Sequence, residues 1–158
     1  MAQNPKKFLR GKIPDPGLPP QTVPKRAAQP ALLSPSPSGT FVVRWARFDF
    51  DGPWCLGLSD STAIVDLMRR LKAFESMRPI DIFGTTKSYP GTDYDVARVP
   101  NQDAVKRLSL LGFGDETRIS RLQIGGLPRL YGFRRDPEFY AVFWDPKHVI
   151  WPPTLRHT

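Results

Sequence analysis

Four residues near the end of the chain have side chains that could act together on a phosphate ester. The imidazole of His148 can serve as a general acid or base, because an unperturbed histidine titrates near neutral pH. Asp145, three residues earlier, could orient that ring, while Lys147 and Arg134 could hold a phosphate and stabilise the charge that builds on it. These are the ingredients of ribonuclease chemistry, so the four residues form the predicted catalytic group. The alternative interpretation is that residues 145–148 form a tight turn and nothing more.

Antiparallel strands in the last third of the chain must position these side chains. The β-branched and aromatic content predicts strands over 118–124, 127–134 and 139–144, followed by a short one over 149–151. Gly125-Gly126 is typical of a two-residue hairpin turn, and residues 135–138 of a four-residue turn. The strand over 139–144 is continuously apolar, which is typical of a central strand covered on both faces.

The two turns determine which residues share a face of the sheet. The first pairs Leu122 with Arg129, and the second pairs Arg134 with Phe139, because paired residues lie on the same side. One face then collects Leu122, Ile124, Leu127, Tyr131, Phe133, Tyr140, Val142 and Trp144. The other face collects Arg121, Gln123, Leu130, Arg134, Phe139, Ala141 and Phe143.

The second face combines guanidinium groups, which bind phosphate, with aromatic rings, on which bases stack. The predicted RNA-binding residues are Arg121, Arg129, Arg134, Phe139 and Phe143, with Arg129 reaching the rim from the apolar face. The alternative is that the arginines are solvated and the rings pack across the strands. A slip of one residue in either turn would exchange the two faces.

The segment before these strands predicts two helices and two short strands. Strands are expected over 41–48 and 54–58, and a helix begins after Ser59 or Asp60. Residues 76–100 are irregular apart from Ile80–Phe83, and a loop of that length in a small domain is often functional or mobile. The apolar stripes of the two helices comprise Ile64, Leu67, Met68, Leu71 and Phe74, then Ala104, Val105, Leu108 and Leu111, with Gly112 ending the second helix. The predicted fold is α+β, with two helices packed on one face of a small, mostly antiparallel sheet.

Composition divides the chain into an arm and a domain. Residues 1–40 hold nine of the 18 prolines and six Lys/Arg against one acid, which predicts a disordered or extended, proline-rich basic arm. Residues 41–158 form a single predicted domain with 17 Lys/Arg against 14 acids. Most of the net charge of +8 therefore lies in the arm, where it could meet nucleic acid.

Several classes of protein are disfavoured by the same sequence. The one cysteine, Cys55, excludes an intrachain disulfide and a cysteine-based zinc site, and is consistent with the cytoplasm. No apolar run approaches the roughly 18–20 residues of a membrane span, and no secretory signal is expected. His148, Asp145 and His157 lack the spacing of a metal motif, and no nucleotide-binding glycine motif is present, so no metal or other cofactor is predicted.

The C-terminal motif resembles that of a group of small bacterial and phage proteins. The residues concerned are 129–133 (RLYGF), 143–149 (FWDPKHV), Pro152 and the closing His157-Thr158. That group carries a pattern like R-x-W-G, then W-W-D-P-x-H-x-V-x-P and a final H-T. It is similar in element order to RelE/ParE-type toxins, in which a sheet face binds messenger RNA on the ribosome. The resemblance implies that Arg121, Arg134, Lys147 and His148 act on RNA.

The sequence thus predicts a cytoplasmic, RNA-acting toxin of a toxin–antitoxin pair, with RNA or the ribosome and an antitoxin protein as partners. Endoribonuclease activity is the reaction that the candidate residues suggest. Two alternatives remain open at this level. One is a non-catalytic nucleic-acid- or ribosome-binding protein, and the other is a structural component that uses its basic arm in a larger assembly.

Overall fold

The computed structural model describes residues 39–154, so the predicted arm up to residue 38 and His157 lie outside the described residues. Five strands are present: β1 (Val42–Arg44), β2 (Gly91–Asp95), β3 (Arg118–Gln123), β4 (Arg129–Arg135) and β5 (Glu138–Asp145). The α-helices are α1 (Ser61–Phe74), α2 (Pro79–Ile82) and α3 (Gln102–Leu110). Short 3-10 helices occupy Leu56–Leu58 and Val96–Arg98.

The strands form one sheet in the order β1-β5-β4-β3-β2. β1 pairs parallel to β5, and the other neighbours are antiparallel. The predicted α+β class, with a small and mostly antiparallel sheet, is confirmed. The apolar strand β5 lies inside the sheet, as its continuous hydrophobic run predicts.

Each of the two longer helices begins at a residue whose side chain caps the helix. The carboxylate of Asp60 accepts a hydrogen bond from Ala63 N at 2.8 Å, and the Asn101 side chain accepts from Asp103 N and Ala104 N. Gly112 adopts a φ of 84°, the left-handed conformation that the sequence predicts for the end of α3. Met68 departs from the predicted apolar stripe of α1, since its side chain is 54% exposed.

The prediction that both helices cover the same face is wrong. Leu67, Leu71 and Phe74 of α1 pack in one core with Leu122, Leu130, Phe139, Ala141 and Trp144 of the sheet. Ala104 and Leu108 of α3 pack in a second core with Ile119, Tyr131, Phe133, Val142 and Phe143. The helices therefore cover opposite faces, and the sheet has no broad open face.

The loop between β3 and β4 explains part of this difference. Ile124 N donates to Pro128 O at 3.0 Å, so three residues, 125–127, form the loop where two were expected. Leu122 consequently pairs with Leu130, not with Arg129. Because side chains alternate along a strand, this slip of one residue moves every side chain of β4 to the other face relative to β3.

The turn between β4 and β5 has the predicted register. Arg134 pairs with Phe139 and Gly132 with Ala141. A register shift next to Tyr131/Gly132 then pairs Tyr131 with Phe143, which leaves Val142 and Phe143 in the same core. Consecutive apolar residues of β5 are buried for this reason as well as by the two helices.

Three further predictions about elements are wrong. The strand β2 lies within residues 76–100, which were expected to be irregular; its polar composition, GTDYD, gives little β signal. Residues 54–58 contain a 3-10 helix instead of a returning strand, although Trp54 O accepts from Trp144 N at the edge of β5. Residues 149–151 form no strand, because the Asp145 carboxylate binds the amides of Val149 and Ile150. In the described part of the chain, no helix is long and apolar enough to cross a membrane.

Candidate functional site

Five polar side chains meet where β3, β4 and β5 approach the C-terminal turn, on the face that α3 covers. The pairings Arg121↔Tyr131 and Arg129↔Asp145 place four of them on adjacent strands, and His148 follows from the turn after β5. We refer to Arg121, Arg129, Tyr131, Asp145 and His148 as the histidine cluster. It unites four residues that the sequence singled out with Tyr131, which was expected to be core.

Asp145 holds the turn that carries His148. Its carboxylate is fully buried and accepts hydrogen bonds from Val149 N at 3.0 Å and Ile150 N at 2.8 Å. These amides are therefore unavailable to a strand, which accounts for the missing last strand. The Asn101 side chain donates to Val149 O at 3.1 Å and so ties the same turn to the start of α3. No hydrogen bond joins Asp145 to the His148 ring among the described residues, so its role differs from the predicted orienting one.

His148 is 93% buried, with a relative exposure of 7%, and its backbone φ is 56°. Its Nε2 atom lies 3.4 Å from Nη1 of Arg121. Burial, reinforced by the charges of Arg129 and Arg121, lowers the pKa of His148, and the nearby Asp145 carboxylate opposes that shift. The ring is consequently neutral at pH 7, and with its proton on Nδ1 it would accept a hydrogen bond from Arg121.

Arg129 fastens the loop between β3 and β4. Its Nη1 atom lies 3.0–3.1 Å from the carbonyl oxygens of residues 125–128. The side chain is buried, and burial together with the charge of Arg121 lowers the pKa of Arg129. The expectation that it extends to the rim is wrong, because its guanidinium satisfies the carbonyls of the longer loop.

Arg121 combines an aromatic contact with the absence of a carboxylate partner among the described residues. Its guanidinium lies 5.2 Å from the ring centroid of Tyr94, and Tyr94 in turn stacks on Trp151 at 4.1 Å. Among residues 39–154 it forms no ion pair, and its Nε atom is buried without a hydrogen-bond partner. A buried donor of this kind costs about 1–3 kcal/mol unless something binds it.

A cleft of about 340 Å³ opens beside Arg121. One wall is formed by β2 and β3, and the other by the loop between α2 and β2. The lining residues are Gly84, Thr85, Thr86, Lys87, Tyr89, Thr92, Tyr94, Arg121 and Gln123. Apart from Arg121, the sequence did not identify these residues individually, although the length of the segment 76–100 marked it as a functional candidate.

The structure places the other predicted site residues elsewhere. Arg134 lies on the α1 face, where Nη1 is 2.9 Å from Oδ2 of Asp93 and the guanidinium packs over the ring of Phe83 at 4.5 Å. Its Nε also lies 2.9 Å from Oδ1 of Asp136, an ion pair outside hydrogen-bond geometry. Arg134 is thus neutralised on both sides and does not join the histidine cluster.

Phe139 and Phe143 are both fully buried, and they belong to different cores. Neither ring presents a surface on which a base could stack, so the expected aromatic floor is not formed by these residues. Lys147, by contrast, is exposed beside His148 in the chain and has no hydrogen bond or ion pair to another described residue. The exposed or half-buried rings near the cluster are Tyr89, Tyr94 and Trp151.

Half of the described cations that lack a carboxylate partner lie in or beside the cluster. Several arginines elsewhere in the fold are neutralised, as in Arg44–Glu138 at 2.6 Å and Arg107–Asp49 at 2.7 Å. The unpaired cations of the described segment are Arg70, Lys72, Lys87, Arg98, Arg118, Arg121, Arg129 and Lys147, and four of these belong to or adjoin the cluster. This region therefore carries positive charge that a bound anion could balance.

Within residues 39–154, no group of three or more His, Cys, Asp or Glu side chains could hold a metal ion. No family model, curated protein or solved structure matches this chain.

Proposed function

We propose that this protein binds single-stranded RNA at the surface formed by Arg121, Tyr94 and Trp151, next to His148. The observation that carries the proposal is the state of Arg121, a guanidinium without a carboxylate partner that lies against an aromatic stack. Guanidinium and aromatic groups in this arrangement bind phosphates and unstacked bases respectively. The resemblance of the C-terminal motif to a group similar to RelE/ParE toxins supports RNA over other polyanions.

The geometry favours an edge site over a broad sheet surface. Both faces of the sheet are covered by helices, so RNA would contact the margin where β2, β3 and the C-terminal turn meet. Tyr94 and Trp151 are half-buried there, and their rings stack at 28° to one another. Base stacking on such rings contributes about 1–3 kcal/mol per base.

The test compares two arginines of the same strand. Arg121→Ala should weaken binding of a fluorescent single-stranded RNA about tenfold, the loss expected for one cation and its stacking partner. Arg118→Ala is the matched control, because Arg118 is also unpaired but exposed at the far end of β3, and it should bind within about twofold of wild type. Fluorescence anisotropy measures both affinities. Equal affinity for wild type and Arg121→Ala would refute the proposal.

RNA cleavage by a toxin of a toxin–antitoxin pair is the second candidate. It is favoured by His148, a neutral imidazole 3.4 Å from a cation, whose Nε2 becomes available as a base when a phosphate draws the Arg121 guanidinium away. Expression without an antitoxin should then arrest growth, and His148→Asn should relieve the arrest while Arg118→Ala does not. Asn is chosen because it tolerates a positive φ. Normal growth on expression of wild type would remove the toxin hypothesis and leave RNA binding intact.

A further inference from the structure

The cleft beside Arg121 has two walls of different chemistry. Thr92 and Arg121 are directly paired across β2 and β3, so their side chains project from neighbouring points of one wall. The opposite wall is the loop that carries Thr85, Thr86 and Lys87. Hydroxyl groups and cations thus face each other across a partly enclosed space.

Both charged residues that line the cleft are cations. Lys87 and Arg121 both border the cleft, and no aspartate or glutamate does. Asp93 lies on β2, but its carboxylate is on the opposite side of the sheet. There it accepts hydrogen bonds from Ser120 Oγ at 2.6 Å and from Arg134. Two cations with hydroxyl donors match a group that carries about two negative charges, as a phosphate monoester does near neutral pH.

Aromatic rings border the same space. Tyr94 lies on the strand wall and Tyr89 on the loop wall. Tyr89 packs so closely on the loop backbone that a Cβ at Gly84 would lie 2.3 Å from its ring, so the glycine sets the position of that ring. A cavity of about 340 Å³ is at the small end of ligand pockets and accommodates one nucleotide, not a run of them.

We infer that the cleft binds the terminal nucleotide of an RNA strand that ends in a phosphate monoester, with the phosphate between Lys87 and Arg121 and the nucleoside against Tyr94 and Tyr89. This inference rests on the proposed function and specifies its ligand. An internal phosphodiester carries one charge and continues in two directions, whereas a terminal monoester carries close to two charges and ends within the cleft.

The experiment uses the full chain and one RNA decamer in three forms, with a 5′-phosphate, a 3′-phosphate or hydroxyls at both ends. One phosphorylated form should bind about tenfold more tightly than the hydroxyl form, the gain expected for a charge-assisted contact to two cations. Lys87→Ala should reduce that ratio to near one. Lys106→Ala, which removes an exposed lysine of α3 that does not line the cleft, should keep the ratio of wild type.

The outcomes separate the inference from the function on which it rests. Equal affinity of wild type for all three decamers would overturn the phosphate site while RNA binding stands. Binding of none of them would overturn both. A preference for phosphate that persists unchanged in Lys87→Ala would place the phosphate outside this cleft and also overturn the inference. A preference for the 5′ or the 3′ form identifies which end of the strand enters.

Discussion

At the scale of single residues, the C-terminal motif combines a carboxylate that holds the backbone, Asp145, with a candidate for chemistry, His148. Asp145 was expected to orient His148, but its carboxylate instead binds two backbone amides of the following turn. Sequence spacing alone could not distinguish these roles, because a carboxylate three residues before a histidine can reach either partner. The residue types identified His148 and Arg121 as candidates, but they could not predict that the two side chains lie 3.4 Å apart.

The histidine gives the stability of the fold a particular pH dependence. The pKa of His148 is lowered in the folded state relative to its ordinary value of 6.5, mainly by burial. Well above pH 6.5 the ring is neutral in both states, so its titration does not change the free energy of unfolding. As the pH falls below that value, the unfolded chain takes up a proton that the fold resists, and stability declines until the folded-state pKa is reached.

We expect His148→Asn to remove this decline. The free energy of unfolding of wild type, measured by urea denaturation across pH 7 to 5, should fall more steeply than that of the variant. Both proteins keep His157 and every carboxylate, so the difference between their slopes isolates His148. Identical slopes would show that His148 titrates alike in the folded and unfolded states.

At the scale of elements, the sequence predicted the two longer helices and the strands β3 to β5 because their patterns are local. The face that each strand presents depends on the length of a single loop. The loop at 125–127 is one residue longer than the Gly125-Gly126 signal suggests, and this moves Phe139 from the predicted open face into the α1 core. The strand β2 was missed because its pairing with β3 is a tertiary contact that its polar residues do not encode.

The close packing of β4 against β5 makes Gly132 intolerant of a side chain. A Cβ at this position would lie 2.2 Å from Tyr140 O and 2.9 Å from the Phe139 ring. Backbone of a central strand cannot move away cheaply, so Gly132→Ala should lower the free energy of unfolding by about 1–3 kcal/mol. Gly126→Ala is the control, since nothing lies within 4 Å of its added methyl group, and thermal or urea denaturation compares the two. Equal stabilities would mean that the strands are less tightly paired than described.

At the scale of the whole molecule, helices cover both faces of the sheet, and this limits where a binding surface can lie. With α1 on one face and α3 on the other, the proposed RNA-binding surface lies at the margin, where residues from distant parts of the sequence meet. Composition indicated that the 41–158 segment is only weakly basic, with a net charge of +3. Ion pairing leaves eight cations of the described segment without a carboxylate partner, four of them in or beside the histidine cluster, and that distribution could not be predicted without the tertiary contacts.

Salt dependence should separate the arm from this site. Residues 1–38 contribute six Lys/Arg and one acid, so their deletion should flatten the salt dependence of RNA affinity, which falls by about 0.7 log unit per phosphate contact and decade of salt for single strands. The effect of Arg121→Ala should persist in the shortened chain, because it depends on a local contact. Anisotropy titrations at several salt concentrations measure both. An unchanged slope after the deletion would show that the arm does not contact RNA.

The stack of Trp151 on Tyr94 gives the protein an intrinsic optical reporter. Of the other three tryptophans, Trp54 and Trp144 are buried in the two cores, at 8% and 0% exposure, and Trp45 packs against the α1 core, so their emission should be insensitive to events at the margin. Trp151 shares its stacking partner with Arg121, and a ligand that draws the guanidinium away from Tyr94 changes the electrostatic field at the indole. Stopped-flow measurement of tryptophan emission would then follow ligand binding in real time without any label. The Trp151→Phe variant is the control, and its emission should not change when the ligand binds.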